Sequence, residues 1–513
     1  MLAPEGLASH GSRTVAGSPG GKRRFEWGFT RSSYLFCGIC VDVPAAQARL
    51  EQVARTAKRD ARVPRVRAIR LHDTRTGSVV PLEPRQQGRV GIYACGPTVY
   101  GRIHVGNARP YVVFVVLRRF LAAVGYEPTL VINVTDINDK IYDAARAEGR
   151  NSAELAREMT ARYLEDTDRL GLGRPDAEPL ASETIGPIED LIGALVDDGH
   201  AYAADGDVYF RVRSYTEYGE LSHRRVEDMD QGEGGDGAER KEDPLDFALW
   251  KGHKPDEDTA WDAPWGSGRP GWHIECSAMA EAFLGLDFEV HGGGSDLVFP
   301  HHENEAAQTR AARGEPLARI WMHNGMVQQE GEKMAKSVGN IFLLHAALDE
   351  YGRDAVVMYL LSGHYRQPLA FSAERLEEAA ARVDRIREAG RRLRDGASPA
   401  DMAPLRERFF AALADDFNTA EALAAVFEWV REANRRDAVG REDLEAMLDV
   451  LGLANLLEAE AEGAPAEIQA LADQRRQARA DRDFAAADRL RDEIAARGWE
   501  VRDVAGGFEL VPR

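Results

Sequence analysis

Residues 88–136 read GRVGIYACGPTVYGRIHVGNARPYVVFVVLRRFLAAVGYEPTLVINVTD. The segment "GRVGIYACG" (88–96) is an apolar run that ends in a glycine turn, as a buried strand does. "ARPYVVFVVLRRFLAAVG" (108–125) has the length and apolar face of a helix, with glycine as its stop. "PTLVINVTD" (128–136) is a second strand, rich in β-branched residues. Strand, turn, helix, strand is the order of an α/β, Rossmann-like doubly wound parallel sheet. In the turn, "YGRIHVGNAR" (100–109) sets His104 and Gly106 where strand gives way to helix. Free backbone N–H groups and the positive dipole end would face a phosphate there. A glycine turn with an incidental histidine is the alternative.

Working outward, the composition sets the limits. The chain has 513 residues, 44% hydrophobic and 29% charged, which suits roughly three globular domains. No run approaches the ~18 apolar residues of a membrane span. Four cysteines in a chain this long do not make a disulfide scaffold, so a reducing, cytoplasmic setting is expected. A net charge of -20 argues against holding nucleic acid by bulk charge, although not against a local basic surface.

Residues 1–66 differ from the rest. Gly/Ser-rich "ASHGSRTVAGSPGGKRR" (8–24) and Arg-rich "QARLEQVARTAKRDARVPRVR" (47–67) lack apolar periodicity. They are expected to be a disordered extension or the product of a start assigned too far upstream. Cys37 and Cys40 form a lone CxxC, weak as a metal or redox signal. The catalytic α/β pattern is expected over 67–144, interrupted by an inserted α/β subdomain over 145–260 and resuming over 261–317. In the insertion, two helical segments precede a strand, "GDVYFRV" (206–212), and "EDMDQGEGGDGAERKEDP" (227–244) reads as an exposed acidic loop. "DFEVHGGGSDLVFPHHENEAAQ" (287–308) reads as strand, glycine turn, helix. From about 378 the chain is expected to be almost wholly helical, with a bundle over 378–465 and a small terminal domain over 466–513.

Two further groups of residues carry chemistry. Cys95, Cys276, His301 and Glu305 offer a metal-ligand set, His301 and Glu305 being four apart in "PHHENE", so that a helix starting at Pro300 sets both on one face. Two thiolates, an imidazole and a carboxylate suit Zn²⁺. Buried apolar cysteines beside a polar helix start are the alternative. In "GEKMAKSVGN" (331–340), Lys333 and Lys336 on a glycine-bounded loop could neutralise a leaving pyrophosphate, or form an ordinary solvated pair.

These motifs fall in one order. The chain from about Arg67 onward closely resembles the cysteinyl-tRNA synthetase family of class I aminoacyl-tRNA synthetases. "HVGN" (104–107) resembles the HIGH signature and "KMAKS" (333–337) the KMSKS signature. "GWHIECSAM" (271–279), "HGGGSDLVFPHHENE" (291–305), "SGHYR" (362–366) and "DDFNTAEAL" (415–423) resemble longer family strings. The resemblance implies one zinc ion on Cys95, Cys276, His301 and Glu305 that binds the substrate thiolate and rejects serine. It implies an amino-acid pocket with Thr135, Trp272 and His291. It implies ATP, with Mg²⁺, bound by His104, Gly106, Asn107, Lys333, Lys336 and Ser337, of which His104, Asn107 and the two lysines act in catalysis.

The reaction implied is formation of cysteinyl-adenylate from L-cysteine and ATP, then transfer to tRNA(Cys). Residues 318–377 would form the stem-contact region with the lysine loop and 466–513 the anticodon-binding domain of a monomer with no membrane contact. Arg475, Arg476, Arg479, Arg482, Arg489 and Arg491 would give one basic face, or an ordinary face of alternating charge, and Trp499 and Phe508 are candidate base-stacking groups. The chain departs from the family pattern at Gly101, Val115, Asn138 and Ala335, where Asp, Asp, Asp and Ser are common. A cysteine ligase that uses an amino-sugar acceptor, as in the mycothiol pathway, shares the core and zinc site but lacks the full carboxyl half. A non-charging RNA-binding paralogue is the third reading.

Overall fold

The computed structural model describes residues 68–229, 237–329, 332–334, 341–458, 465–481, 483–504 and 507–512. Expectations for residues 1–66, Cys37 and Cys40 among them, and for Ala335, Lys336, Ser337 and Arg482 lie outside these residues, as does part of the acidic stretch 227–244.

A hairpin of β1 (Arg70–Asp73) and β2 (Ser78–Pro81) leads into β3 (Arg89–Ala94), helix α1 (Val105–Ala123) and β4 (Glu127–Ile132). Helix α1 carries Val112, Val113, Val115 and Val116, which cost at most about 0.7 kcal/mol each in helix propensity. Burial decides the outcome. Those valines and Phe114, Leu117, Phe120 and Leu121 are no more than 1% exposed, and each large apolar side chain gains about 1.5–3 kcal/mol on burial. The apolar surface extends well round the helix instead of forming one face.

Next come α2 (Asp139–Glu148), α3 (Ser152–Asp168), α4 (Ile185–Asp197), and the strands β5 (Ala201–Ala204), β6 (Asp207–Phe210), β7 (Phe247–Gly252) and β8 (Gly268–Pro270). These four strands form an antiparallel sheet in the order β5-β6-β7-β8. The sequence indicated only β6 among them. Their core joins Ile188, Leu191 and Leu195 of α4 to Phe210, Phe247 and Trp250.

The main sheet resumes after α5 (Trp272–Leu284) with β9 (Phe288–Gly294), α6 (Glu303–Arg313) and β10 (Ala318–Asn324). It is parallel, in the order β10-β9-β3-β4. Tyr93 pairs with Val131 on one side and His291 on the other. Chain order reverses between β3 and β9, so a crevice opens past their carboxyl ends, where doubly wound sheets take their ligands. Alternate residues face opposite ways: Ile92, Leu130 and Val290 share a core with α1, while Tyr93, Val131 and Trp321 share one with Cys276 and Met279 of α5. The expected turn at Gly292–Gly294 is instead the end of β9. It runs so close to α1 that a Cβ on Gly292 would lie 2.1 Å from Phe114 Cζ.

A small sheet follows, with β11 (Val327–Gln329) between β12 (Glu332–Lys333) and β13 (Leu369–Ala370). Around it lie α7 (Leu344–Tyr351) and α8 (Arg353–Leu360). The bundle is α9 (Ala373–Gly390), α10 (Ala403–Ala414), α11 (Thr419–Ala433) and α12 (Glu442–Leu451), whose Phe409 and Trp429 belong to the same core as α1. The last unit is α13 (Ala466–Ala480), α14 (Phe484–Ala496) and a hairpin of β14 (Trp499–Val504) and β15 (Gly507–Pro512). The expectation of an almost wholly helical carboxyl half is therefore corrected by this hairpin, whose Val501 and Leu510 pack on Ile468 and Ile494. Among the described residues no helix is long and apolar enough to cross a membrane.

Gly292→Ala should destabilise the fold by about 1–3 kcal/mol, because neither the Phe114 ring nor the β10 backbone can yield. A fall in the urea midpoint with an unchanged slope would register this.

Candidate active site

The crevice collects its side chains from four elements. Cys95 follows β3 directly and fixes itself to β9 through Cys95 N–H to Gly292 O at 2.9 Å. His291 lies within β9, Cys276 on the second turn of α5, and His301 and Glu305 at the kinked entry to α6. All five are buried. Their ligand atoms form two overlapping groups within 4.8 Å: Cys95, Cys276, His301 and Glu305, and Cys95, His291, His302 and Glu305.

Glu305 is the centre. Its Oε1 lies 3.1 Å from His301 Nε2 and 3.5 Å from Cys95 Sγ, and its Oε2 lies 3.3 Å from His291 Nε2. Edges of a tetrahedron built on zinc–ligand bonds of about 2.0–2.3 Å measure roughly 3.3–3.8 Å, close to these separations. The aim of His301 is set from behind by His273, whose Nδ1 lies 3.0 Å from His301 Nδ1, an outer contact of the kind that orients metal-binding histidines. The cluster can therefore hold a metal ion. Electrostatics agrees. Burial drives the Cys95 thiol well up. The hydrogen bond with Cys95, chiefly, brings Cys276 down to about 6. Burial opposes protonation of His301, but Glu305 and Cys276 outweigh it and raise its pKa. A divalent cation would settle these competing demands.

Around the cluster, Trp272 stacks on His301 with centroids 4.2 Å apart, and His291 packs between Tyr93 and Trp321. Thr135, 1% exposed, pairs in parallel with Thr98 just beyond Cys95 and accepts from Asn133 Nδ2 at 3.3 Å. Reading by motif missed Asn133, which also holds Gly96 N–H at 3.0 Å, and it missed His273, His302 and His323. His302 Nδ1 lies 2.7 Å from His323 Nε2, and burial keeps both well below the usual imidazole pKa. The doubled histidine of HHENE was the available signal for His302. His323 had none.

The second motif stands at the amino end of α1. His104 is its N-cap residue, and Asn107 Oδ1 accepts from His104 N–H at 3.2 Å. A Cβ on Gly106 would sit 2.9 Å from the His104 ring, so glycine is what lets that ring fold over the helix start. The same turn binds the segment beyond the lysine loop: Val105 N–H donates to Phe342 O at 2.9 Å, and Leu344 N–H to Ile103 O at 3.0 Å. On the other side of the loop, Met334 N–H donates to Val327 O at 3.0 Å, and the backbone of Lys333 pairs with Gln328 in the small sheet. Both anchors of that loop are thus attached near the start of α1. Lys336 and Ser337 lie outside the described residues.

In the terminal unit, Trp499 and Phe508 pack onto its core, and Arg476 lies over the Phe508 ring at 5.8 Å. Arg476 and Arg491 pair with Asp473 and Asp488, each at 3.2 Å, and Arg475 is buried, which weakens the reading of one basic face. The exposed aromatic is Phe484, 62% accessible at the start of α14.

The site is thus a nucleotide-type turn and a buried Cys/His/Glu cluster at the switch point of a doubly wound parallel sheet, and the match of its catalytic half makes the chain a class I synthetase. Residues 81–381 match the family described as tRNA synthetases class I (C) catalytic domain, 408–459 the DALR domain and 461–509 the cysteinyl-tRNA ligase anticodon binding domain. The fold is similar to methionyl-tRNA synthetase of Mycobacterium tuberculosis, with a TM-score of 0.55 at 17% identity over 72% of this chain and 91% of that one. It is also similar to LeuRS of Agrobacterium radiobacter K84, with a TM-score of 0.54 at 12% identity over 73% and 85%. The cysteine–tRNA ligase of Caldicellulosiruptor saccharolyticus is 43% identical over 462 residues, 86% of this chain and 99% of the relative. That of Alkalilimnicola ehrlichii is 47% identical over 452 residues, 85% and 98%. The chain belongs to the cysteine–tRNA ligase family.

The two donor groups make different demands. If Cys276 and His301 are ligands, Cys276→Ala and His301→Ala should each abolish stoichiometric metal by elemental analysis, while His291→Ala retains it. The cobalt-loaded parent should then show thiolate-to-metal charge-transfer absorption that drops markedly in Cys276→Ala. Retention of metal by Cys276→Ala would assign the ion to the His291 and His302 group.

Proposed function

We propose that this chain activates L-cysteine with ATP and Mg²⁺ to cysteinyl-adenylate and transfers the cysteine to tRNA(Cys), acting as a cytoplasmic monomer. The observation that carries this reading is the buried group Cys95, Cys276, His301 and Glu305 at the sheet's switch point, within a chain that continues into an anticodon-binding unit. A Zn²⁺ ion held by those four residues would take the substrate sulfur as a thiolate and so favour cysteine over serine.

The chain's own groups supply the rest. Thr135, Trp272 and His291 bound the amino-acid pocket, Trp272 also fixing the His301 ring by stacking. His104, Gly106 and Asn107 present the amino end of α1 to the ATP phosphates, where the positive end of the helix dipole favours anions. Lys333 and Lys336 neutralise the departing pyrophosphate, and Ser337 binds ATP beside them. The cysteine carboxylate attacks the α-phosphorus in line, and the terminal ribose hydroxyl of tRNA then attacks the acyl carbon. No protein nucleophile enters, because positioning and charge neutralisation lower the barrier.

Purified protein is expected to charge tRNA(Cys) with labelled cysteine and to reject serine on the order of 10⁴-fold in kcat/KM, as sites that bind a group absent from the analogue do. Transfer of activated cysteine to an amino-sugar acceptor, with none to tRNA, would sink this reading.

Phe484, exposed in the terminal unit, is read as a stacking platform for an anticodon base. Stacking of one base contributes about 1–3 kcal/mol. Phe484→Ala should therefore raise KM for tRNA roughly 5- to 150-fold while leaving cysteine-dependent pyrophosphate exchange unchanged. An unaltered KM would return Phe484 to the status of an ordinary surface residue.

A further inference from the structure

The string DDFNT (415–419) has no place in the chemistry above, yet it is the most constrained corner among the described residues. Asp416 and Phe417 both adopt the left-handed backbone region, with φ of 60° and 46°. That region is uncommon for any residue with a side chain and a true outlier for a bulky one. Such a conformation persists only where surroundings over-determine it, and it points towards a role. Both side chains are buried, Asp416 to 6% exposure and Phe417 to 0%.

The surroundings belong to three different parts of the molecule. From the first hairpin, His72 N–H donates to Asp416 Oδ1 at 2.9 Å, and Arg70 O accepts from Asp416 N–H at 2.9 Å. From the SGHYR string, Tyr365 OH donates to Asp416 Oδ1 at 2.9 Å and Arg366 Nε to Oδ2 at 2.8 Å. Thr419 Oγ1 donates back to Gly363 O at 3.0 Å. The Phe417 ring lies 6.2 Å from that of Tyr365 and 6.4 Å from that of Phe120 on α1. Asn418 caps α11, accepting from Glu421 N–H at 3.0 Å. The connection continues to the nucleotide end of α1. Arg109, 1% exposed, donates to Gly325 O at 2.6 Å and to His364 O at 3.3 Å, tying α1 to both the root of β11 and the SGHYR string.

We infer that Asp416 is a positioning residue, the centre of a joint that fixes the helical bundle against the catalytic half. This inference rests on the functional reading above. Cysteine and ATP engage the catalytic half alone, whereas a tRNA engaged at the catalytic crevice and at the terminal unit spans the joint. Softening it leaves activation nearly intact and impairs transfer. Asparagine is tolerated in the left-handed region, so Asp416→Asn keeps the backbone while removing the charge and one of the two acceptor oxygens that hold Arg366, Tyr365 and His72.

The test uses the full chain. In Asp416→Asn, cysteine-dependent pyrophosphate exchange should stay within about threefold of the parent, while kcat/KM for tRNA charging falls about tenfold, an ordinary size for coupling between sites. Tyr365→Phe, which removes one hydrogen bond, should fall in the same direction by less. Equal losses in exchange and charging, or no loss in charging, would overturn the inference. Amide hydrogen exchange provides a readout independent of tRNA. Asp416→Asn should speed exchange at His72 and along 363–366 and spare β3 and β9, and unchanged rates at His72 and 363–366 would also overturn it. A parent that fails to charge tRNA would refute the functional reading, and the amide rates would still decide whether the joint exists.

Discussion

Burying Glu305 is the constraint on which this catalytic half depends. A carboxylate with 0% exposure is tolerated only when it is paired or bound to a metal. Here its immediate neighbours include two thiols that would also be anionic as ligands, and Glu305 and Cys276 favour protonation of His301. Holding so many acids together demands that each arrive from a rigid element. Cys95 is set by the parallel register of β3 with β9, Cys276 by α5 packed beneath the sheet, and His301 by the stacked Trp272 and by His273. The zinc proposed above would offset most of the charge of two thiolates and a carboxylate.

Much of this was legible in residues 88–136, because a β-α-β unit writes its period and its turn directly into sequence. What stayed hidden has identifiable causes. The strands β5, β7 and β8 are short and carry little alternation, and β7 and β8 are buried over most of their length, so periodicity could not separate them from loop or helix. The triple glycine read as a turn because glycine usually marks one. Close packing of Gly292 on Phe114 gives it a different purpose inside a strand. His323 meets the site only through tertiary packing, which no spacing rule records, whereas His273 stood three residues before Cys276 in GWHIECSAM and could have been read from helical spacing. Trp499 and Phe508 were the aromatics read from the sequence, whereas exposure, which residue type does not encode, distinguishes Phe484 in the same unit.

The departures from the family pattern can be weighed in the same terms. Asn138 caps α2, its Oδ1 accepting from Lys140 N–H at 3.1 Å, and asparagine and aspartate are equivalent in that duty. Val115 is fully buried in the core around α1, where an apolar side chain is favoured outright. Gly101 is half-buried in the turn before His104, and nothing in its surroundings explains the exchange. None of the three touches the cluster around Glu305. Ala335 lies outside the described residues.

The same helix serves both ends of the proposed reaction. Helix α1 has 19 residues, and at 1.5 Å per residue it spans about 28 Å. In the proposed reaction its first turn presents the positive dipole end to phosphate, and its fifth carries Phe120 against the bundle corner at Phe417. A helix with one wet face could bend towards solvent and lose register between those ends. This one is enclosed along most of its length, with Val112 to Leu117 all at 1% exposure or less. The valines that lower its intrinsic helix propensity are therefore the residues that make it stiff, since close-packed interiors transmit displacement instead of absorbing it.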